Sequence, residues 1–223
     1  MSEVVINIDG VSKYFGDEQV LKDITHQFLA GKVYGIVGNN GSGKTVLFKC
    51  ICGFIRPDKG KIEVYHKIIG REVDFPEDMG IIIETPGFLP HCTGFRNLQI
   101  LADLRRKIGK EEIVKVLEKV GLDPKLKKHV SKYSLGMRQR LGIAQAIMED
   151  PKVLILDEPF NGLDKHGLSH IRGIILDLKK QGKTIFLASH NAEDISILCD
   201  SVFEMDAGVL KEVMVNEDNN AVG

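Results

Sequence analysis

Residues 38–45 read Gly38-Asn39-Asn40-Gly41-Ser42-Gly43-Lys44-Thr45 and match G-x-x-x-x-G-K-[ST], the pattern of a phosphate-binding loop or P-loop. Glycines let backbone N–H groups turn inward around an anion, because no Cβ atom obstructs the approach. The Lys44 side chain can reach the β- and γ-phosphates of a nucleotide, and the Thr45 hydroxyl can ligate Mg²⁺. The motif therefore predicts a site for nucleotide phosphates.

The segments on either side of the loop support this interpretation. Residues 32–37 are mostly apolar and predict a buried strand, whereas residues 46–52 predict a helix. The phosphates would then rest on the positive N-terminus of that helix. Because a strand, a loop and a helix in this order are the context that confirms the motif, a chance glycine-rich turn is disfavoured.

Length and composition limit the class of protein. The chain has 223 residues, 43% of them hydrophobic, which suits one large domain or a core with a subdomain. A formal net charge of −1 argues against binding nucleic acid through bulk charge. There is no apolar run of about 20 residues, and the N-terminus lacks the pattern of a secretory signal. The cysteines (Cys50, Cys52, Cys92 and Cys199) lack metal-site spacing and suggest small core residues in a reducing cytosol.

Strand and helix patterns alternate at both ends of the chain. Apolar segments before the middle predict strands at residues 4–8, 19–28, 61–66 and 80–83, with a turn at Gly16-Asp17 between the first two. After residue 150 the pattern predicts strands at 153–156, 184–188 and 201–205 and helices at 168–180 and 192–199. Such alternation indicates parallel βαβ units. The polar tail from 216 to 223 is expected to fray.

The middle of the chain, from Thr85 to Asp150, has helical periodicity and no strand pattern. Residues 95–107 and 111–120 predict helices, and the second has one apolar face formed by Ile113, Val116, Leu117 and Val120. We therefore predict a helical insert in an α/β core. The locally basic residues 125–132 are interpreted as solvated surface, with contact to anionic lipid as the less favoured alternative.

Two carboxylates follow a buried strand. Residues 153–156 are apolar, and Asp157 and Glu158 come next. Carboxylates at the C-terminal end of a parallel strand point toward the crevice where such sheets bind ligands. Asp157 is placed to hold Mg²⁺, directly or through water, and Glu158 is the candidate that orients and polarises an attacking water.

Three further motifs, one before the carboxylates and two after them, occur in an order that resembles the nucleotide-binding domain of ATP-binding cassette (ABC) transporters. Residues 133–140 lie where that family has its signature L-S-G-G-Q. Their sequence is Tyr133-Ser134-Leu135-Gly136-Met137-Arg138-Gln139-Arg140. Asn161-Gly162-Leu163-Asp164 resembles the D-loop, and Ser189-His190 resembles the H-loop. With the P-loop and the carboxylates, the resemblance covers essentially the whole chain. It implies an α/β fold: a P-loop NTPase core with a mostly parallel sheet, an N-terminal antiparallel β subdomain and an inserted α-helical subdomain.

The resemblance also implies roles for single residues. The implied domain layout is one ABC ATPase domain over residues 1–223, with the core at 1–84 and 151–215 and the helical subdomain at 85–150. Glu158 and His190 would be catalytic, with His190 touching the γ-phosphate and holding Glu158. Thr45, Asp157 and Glu84 would lie at Mg²⁺. The residues implied to contact nucleotide are Phe15, Gly38, Asn39, Asn40, Gly41, Ser42, Gly43, Lys44, Thr45, Glu84, Ser134, Gly136 and Asp164. Phe15 would stack on adenine, with Tyr14 as the alternative.

The signature acts on a second chain in this family. Two domains pair head to tail, so Ser134 and Gly136 would close over the partner's γ-phosphate, and Asp164 would link the two sites. A helix N-terminus with a serine hydroxyl suits an anion. Hydrolysis would then require a homodimer or a pair of different cassettes, closed by ATP and opened when the γ-phosphate is lost.

The chain departs from the family pattern at several positions. Leu135 replaces a signature glycine and Met137 replaces the glutamine, while Lys165 stands where a proline often follows the D-loop. Glu84 occupies the position of the Q-loop glutamine. A carboxylate there would either bind the metal more strongly or repel the γ-phosphate.

The sequences of residues 83–88 and 133–137 resemble those of cassette proteins that serve bacterial export and self-protection, such as bacitracin and lantibiotic-immunity transporters. The implied function is ATP hydrolysis that drives a separate membrane permease, at the inner face of the cell membrane. The coupling surface would lie in residues 85–98, where Phe88 and Phe95 either seat a permease helix or pack within the insert. The alternatives are a soluble cassette ATPase without transport, and a GTPase or small-molecule kinase, which would leave the later motifs unexplained. No nucleic-acid partner is expected.

Overall fold

The structure is a computed structural model that describes residues 3–84 and 87–213. Its strands are β1 (Val4–Phe15), β2 (Glu18–Leu29), β3 (Val33–Val37), β4 (Lys59–Val64), β5 (Lys67–Ile68), β6 (Met79–Ile82), β7 (Val153–Asp157), β8 (Thr184–Ala188), β9 (Ser201–Asp206) and β10 (Val209–Val213). Its helices are α1 (Lys44–Ile51), α2 (Gly94–Arg105), α3 (Lys110–Lys119), α4 (Leu135–Ile147), α5 (Lys165–Lys180) and α6 (Ala192–Leu198). The chain forms two compact units: residues 1–77 with 184–223, and residues 78–183.

The first unit contains an antiparallel sheet in the order β2-β1-β4-β5. The β1–β2 hairpin closes at Gly16 and Asp17, as predicted, and Gly16 has a φ of 59° that an L residue adopts at a cost. β1 runs seven residues beyond the predicted end at Ile8, to Phe15. A register shift between Ile8 and Val11 accommodates Gly10, so the strand continues past the glycine as a bulged strand.

The first unit also contains a parallel set of strands, with β3 between β8 and β9, and β10 antiparallel to β9. β8 is buried at every residue, as expected of an apolar strand in a parallel sheet. Four aromatic side chains of the first unit form a buried cluster, with neighbouring ring centroids 4.9–6.1 Å apart. They are Phe28, Tyr34, Phe186 and Phe203. Pairs of this kind add about 0.5–1.5 kcal/mol each beyond burial of their area. The cluster fixes β3, and with it the start of the P-loop.

The second unit contains the parallel pair β6 and β7, four α-helices and a short 3-10 helix (Val130–Lys132) within its described part. Gly80 of β6 lies so close to α4 that a Cβ atom there would come within 1.9 Å of the Ala146 carbonyl oxygen. α3 buries Ile113, Val116 and Leu117, as its periodicity predicted. The residues between 94 and 147 are mainly helical, and their assignment as an inserted subdomain stays a prediction.

Several element bounds differ from the sequence prediction. α1 begins at Lys44 rather than at residue 46, and α5 begins at Lys165 rather than at 168, because Asp164 caps it. β5 and β10 were not predicted; β10 is short and only partly buried, so it has no apolar pattern. The predicted tail at 216–223 lies outside the described residues. No helix in the described part of the chain is long and apolar enough to span a bilayer.

Candidate functional site

The P-loop joins β3 to α1, and its own backbone carbonyl groups bind the side chain of its lysine. The Lys44 ammonium donates hydrogen bonds to the carbonyl oxygens of Gly38 at 2.7 Å and Asn39 at 3.0 Å. Lys44 is 7% exposed, so its charge lies inside the loop that the sequence predicted to bind phosphate. No acidic residue occupies the first turn of α1, which leaves the positive end of the helix dipole uncompensated by its own side chains.

Two P-loop glycines are required by close contacts. A Cβ atom at Gly38 would lie 2.2 Å from the Met205 carbonyl oxygen, and one at Gly43 would lie 3.0 Å from the Val20 carbonyl oxygen. Gly41 has nothing within 4 Å of such an atom, so only its φ of 79° favours glycine. The Ser42 hydroxyl is buried without a hydrogen-bond partner in the described part of the chain. An oriented hydroxyl in a glycine-lined loop fits a phosphate ligand.

His190 lies on the same unit as the P-loop and shares a cavity with it. A cavity of about 460 Å³ is lined by residues that include Gly38, Asn39, Ser189 and His190. The Ser189 hydroxyl donates to the buried carboxylate of Asp194 at 3.0 Å and accepts from the Asn191 N–H at 3.2 Å. These bonds fix the backbone on both sides of His190. The structure therefore brings the predicted H-loop and the start of the P-loop together.

Phe15 ends β1 and is 48% exposed. The Lys13 ammonium lies 5.5 Å from its ring centroid. Asp58 accepts a hydrogen bond from the Tyr14 N–H at 2.7 Å and pairs with Lys13 at 3.2 Å. The Tyr14 hydrogen bond, with help from Lys13, lowers the pKa of Asp58. Asp58 thus holds the strand end that presents Phe15, a role the sequence did not indicate.

Asp157 and Glu158 lie where β7 ends, in the second unit. Asp157 is 8% exposed, and Glu158 is half-buried with a φ of 51°. A left-handed glutamate is uncommon and costs of the order of 1–3 kcal/mol, as is frequent at functional sites. The side chain of Gln139, a residue of α4 that is 8% exposed, donates to the Glu158 carbonyl oxygen at 3.1 Å. Gln139 belongs to the signature segment, but the sequence indicated no separate role for it.

Glu84 follows β6 and is exposed, with a φ of 57°. Residues 85 and 86, at the start of the predicted coupling surface, lie outside the described residues. Beyond them, Leu89 is 50% exposed, whereas Phe88 and Phe95 are half-buried. The buried side chain of Asn97 accepts from the Leu89 N–H at 2.7 Å and donates to the Leu89 carbonyl at 3.2 Å. In the described part of this segment, Leu89 is an exposed large apolar residue, held by an asparagine that no sequence motif indicated.

Ser134 is the N-cap of α4, and its hydroxyl accepts from the Met137 N–H at 3.2 Å. Ser134 is exposed and Gly136 is half-buried, so the N-terminus of this helix has a serine hydroxyl at its surface. Asp164 caps α5 in the same way, accepting from the Gly167 N–H at 2.7 Å. Gly136 and Gly162 lie in contact, since a Cβ atom at Gly136 would lie 2.8 Å from the Gly162 carbonyl oxygen. Within the second unit, the signature and the D-loop therefore touch.

The residues present fit a nucleotide with a divalent cation. The P-loop has the cationic and hydroxyl groups that bind phosphate. Thr45 in the first unit and Asp157 in the second each carry the kind of side-chain oxygen that Mg²⁺ prefers as a ligand. When bound, the metal would neutralise charge on the phosphates.

Comparison with known proteins agrees with these features. The model of the family described as ABC transporter matches residues 21–161. The bacitracin transport ATP-binding protein BcrA of Enterococcus faecalis is 41% identical over 218 residues, which are 96% of this chain and 71% of that protein. The lantibiotic transport ATP-binding protein SrtF of Streptococcus pyogenes is 34% identical over 200 residues, 89% of this chain and 85% of that protein.

A solved structure gives the same result. The ADP conformation of MJ1267, an ATP-binding cassette of an ABC transporter, superposes with a TM-score of 0.79 at 25% identity and covers 97% of this chain and 93% of that one. The predicted α/β P-loop NTPase fold and the resemblance to bacitracin and lantibiotic cassettes are thereby confirmed. The chain belongs to the ABC transporter family and is one of its ATP-binding, ATP-hydrolysing subunits.

Proposed function

We propose that this chain hydrolyses Mg²⁺-ATP in a head-to-tail pair of cassettes and thereby drives a separate membrane permease that exports an antimicrobial peptide or a similar compound. The nucleotide half rests on one observation, the Lys44 ammonium held inside the P-loop by the Gly38 and Asn39 carbonyls. The export half rests on the 41% identity with a bacitracin transport protein.

In this proposal the P-loop residues Gly38 to Thr45 bind the phosphates. Lys44 exchanges its loop carbonyls for phosphate oxygens, which are stronger acceptors because they are charged. Thr45 and Asp157 hold Mg²⁺, and Glu84 is the further candidate near the metal. Phe15, already exposed, stacks on the adenine base.

Glu158 is proposed to orient and polarise the attacking water, and His190 to contact the γ-phosphate. A carboxylate that orients a water contributes mainly by holding the attacking oxygen in position. The left-handed backbone at Glu158 and its bond from Gln139 give that position a physical basis.

Ser134 and Gly136 are proposed to bind the γ-phosphate on the partner cassette. Ser134 is an exposed N-cap, and the exposed N-terminus of a helix favours anions. Asp164 is proposed to lie at the interface between the two cassettes. Closure would then need ATP on the partner, which couples hydrolysis to pairing.

A permease partner is proposed because the relatives are transport proteins and the described part of this chain has no helix that could span a bilayer. The chain would lie on the inner face of the cell membrane through that partner. Leu89, exposed and backed by Asn97, is the proposed contact in the coupling surface. The alternative, a soluble cassette ATPase, needs no such contact.

The nucleotide half is tested by measuring ATP hydrolysis and solution mass for the wild type and for Glu158→Gln and Ser134→Arg. We expect Glu158→Gln to abolish turnover and to trap an ATP-dependent dimer, and Ser134→Arg in that background to abolish the dimer. Ser131→Arg, which changes an exposed residue outside α4, is the matched control. Turnover unaffected by both test variants, in a chain that stays monomeric with ATP, would overturn the mechanism.

The export half is tested in the source cell. Deleting the gene should increase sensitivity to bacitracin or to a lantibiotic, wild type should restore resistance, and Glu158→Gln should not. Leu89→Asp should release the chain from the membrane fraction while the purified variant keeps its ATPase activity. A wild-type chain found only in the cytosolic fraction, with no change in peptide sensitivity on deletion, favours the soluble cassette.

A further inference from the structure

We propose that Leu135 is a positioning residue that holds the D-loop (Asn161–Asp164) on the first turn of α4, so that the signature and the D-loop of one chain move as one body during closure of the dimer. The inference rests on the proposed function for its role in catalysis. The contact itself is a property of the second unit alone. Leu135 is the residue that departs from the glycine usual in the signature.

Leu135 is 62% exposed, yet its inner atoms lie against Gly162. A Cβ atom at Gly162 would lie 2.3 Å from Leu135 Cγ and 2.5 Å from Cδ2. Such distances are far below van der Waals contact, so the leucine covers the Cα of Gly162 directly. Gly162 has a φ of 74°, which also favours glycine. The leucine at 135 and the glycine at 162 are therefore complementary in shape.

The next residue of the signature touches the same loop. A Cβ atom at Gly136 would lie 2.8 Å from the Gly162 carbonyl oxygen and 3.7 Å from Leu163 Cδ2. The turn that carries the proposed γ-phosphate contacts, Ser134 and Gly136, thus packs on the D-loop through two successive residues.

The contact continues along α4. Gln139 donates to the Glu158 carbonyl oxygen at 3.1 Å, and a Cβ atom at Gly167 would lie 2.8 Å from Arg140 Nη2. The α4 positions 135, 136, 139 and 140 lie on one face of the helix, because residues four apart are neighbours. That face contacts the chain from Glu158 to the first turn of α5.

Leu135 completes this face at its exposed end. A glycine at 135 would leave Gly162 uncovered by the leucine, while the Gly136 contact with the D-loop would remain. The separation between Ser134, which acts on the partner, and Asp164, which lies at the proposed interface, would be less well defined. Because Lys44 and Thr45 belong to the other unit, binding of ATP to the P-loop should not depend on Leu135.

The test is a double-mutant cycle with Leu135→Gly, Gly162→Ala and the two together. The backbone strain of alanine at φ 74° occurs in both backgrounds and cancels in the cycle, whereas the clash with Leu135 occurs in one. Readouts are kcat, KM for ATP, the ATP concentration that half-saturates dimer formation in the Glu158→Gln background, and the urea unfolding midpoint. Leu135→Met is the conservative variant, and Gly173→Ala, which has open space around the new Cβ, is the glycine control.

We expect Gly162→Ala to lower kcat about tenfold, a change of about 1.4 kcal/mol in activation free energy. In the double variant, Leu135→Gly should raise kcat several-fold above that of Gly162→Ala alone. Leu135→Gly alone should lower kcat and weaken ATP-dependent dimerisation several-fold with an unchanged KM, and Leu135→Met should retain wild-type values. Gly173→Ala should change neither kcat nor KM.

Effects of Leu135→Gly and Gly162→Ala that simply multiply, in kcat and in dimerisation, would overturn the inference. So would a Leu135→Gly variant with a lower unfolding midpoint but wild-type kcat and dimer. These failures differ from failure of the proposed function, in which the wild type itself does not hydrolyse ATP. If the wild type does not hydrolyse ATP, non-additive effects of Leu135→Gly and Gly162→Ala on the unfolding midpoint would still show that the two residues are in contact. Additive effects on the midpoint would overturn the contact as well.

Discussion

The side-chain amide of Gln139 donates a hydrogen bond to the backbone carbonyl of Glu158 across 3.1 Å. That carbonyl also accepts from the Asn161 N–H at 3.3 Å, so both bonds hold the left-handed turn at Glu158. We predict that Gln139→Leu lowers the free energy of unfolding by about 1 kcal/mol, because one buried donor is lost. It should lower kcat about fivefold or more with little change in KM, because Glu158 loses its position.

Gln145→Leu provides the control for this prediction, since Gln145 lies half-buried on the same helix. It should leave kcat unchanged. If the two leucine variants behave alike in ATP turnover, the bond from Gln139 has no catalytic effect.

Gly38 and Gly41 form a matched pair in the P-loop. A Cβ atom at Gly38 would lie 2.2 Å from a backbone oxygen that cannot easily move, whereas Gly41 has open space. We predict that Gly38→Ala costs at least about 3 kcal/mol of unfolding free energy and Gly41→Ala about 1, because only strain in φ acts at Gly41. Urea unfolding of both variants measures this. Equal costs would contradict the close contact between the P-loop and the Met205 carbonyl.

The P-loop site could be predicted because the residues that bind phosphate are contiguous in the sequence. The loop carries its glycines, its lysine and its hydroxyl groups within eight residues. The strands β7 and β8 were predicted within one residue at each end, since fully buried apolar strands have a strong pattern. Local patterns thus predicted most of the fold.

The sequence could not predict contacts between distant residues. The bond from Gln139 to Glu158 and the packing of Leu135 on Gly162 join positions 19 and 27 apart, and no local pattern encodes such pairs. The left-handed backbone at Glu84 and Glu158 was likewise invisible, because glutamate has no preference for that region.

Asn97 supports the proposed coupling surface. It is 5% exposed and makes hydrogen bonds to the Leu89 N–H and carbonyl and to the Thr93 carbonyl. Asn97→Ala should lower the free energy of unfolding by about 2 kcal/mol, since several net hydrogen bonds of about 1 kcal/mol are lost. Asn97→Asp keeps an acceptor for the Leu89 N–H but has no donor for the Leu89 carbonyl, so its cost should lie between those of the wild type and Asn97→Ala. Thermal unfolding of the three proteins checks the order, and an Asp variant less stable than Ala would show that burial of charge dominates.

Cys50 should be chemically inert in the folded chain. Burial raises the pKa of its thiol to about 12, and burial raises the pKa of Cys52 as well. At pH 8 only about one Cys50 side chain in ten thousand would be the reactive thiolate. Cys92 and Cys199 are half-buried and should react first with iodoacetamide. Intact mass should show at most two adducts when folded and four in denaturant, and rapid labelling of Cys50 would contradict its burial.

Asp164 combines a structural and a proposed functional role, and two substitutions separate them. Its carboxylate accepts from the Gly167 N–H at 2.7 Å as the N-cap of α5. Asp164→Ala should cost about 1 kcal/mol of unfolding free energy, whereas Asp164→Asn should cost little, because asparagine caps helices as well as aspartate does. If the charge acts between two cassettes, Asp164→Asn should still lower kcat several-fold while the unfolding midpoint stays near that of the wild type. An Asn variant with wild-type kcat would leave capping as the only role of Asp164, and the proposed link across the dimer would be wrong.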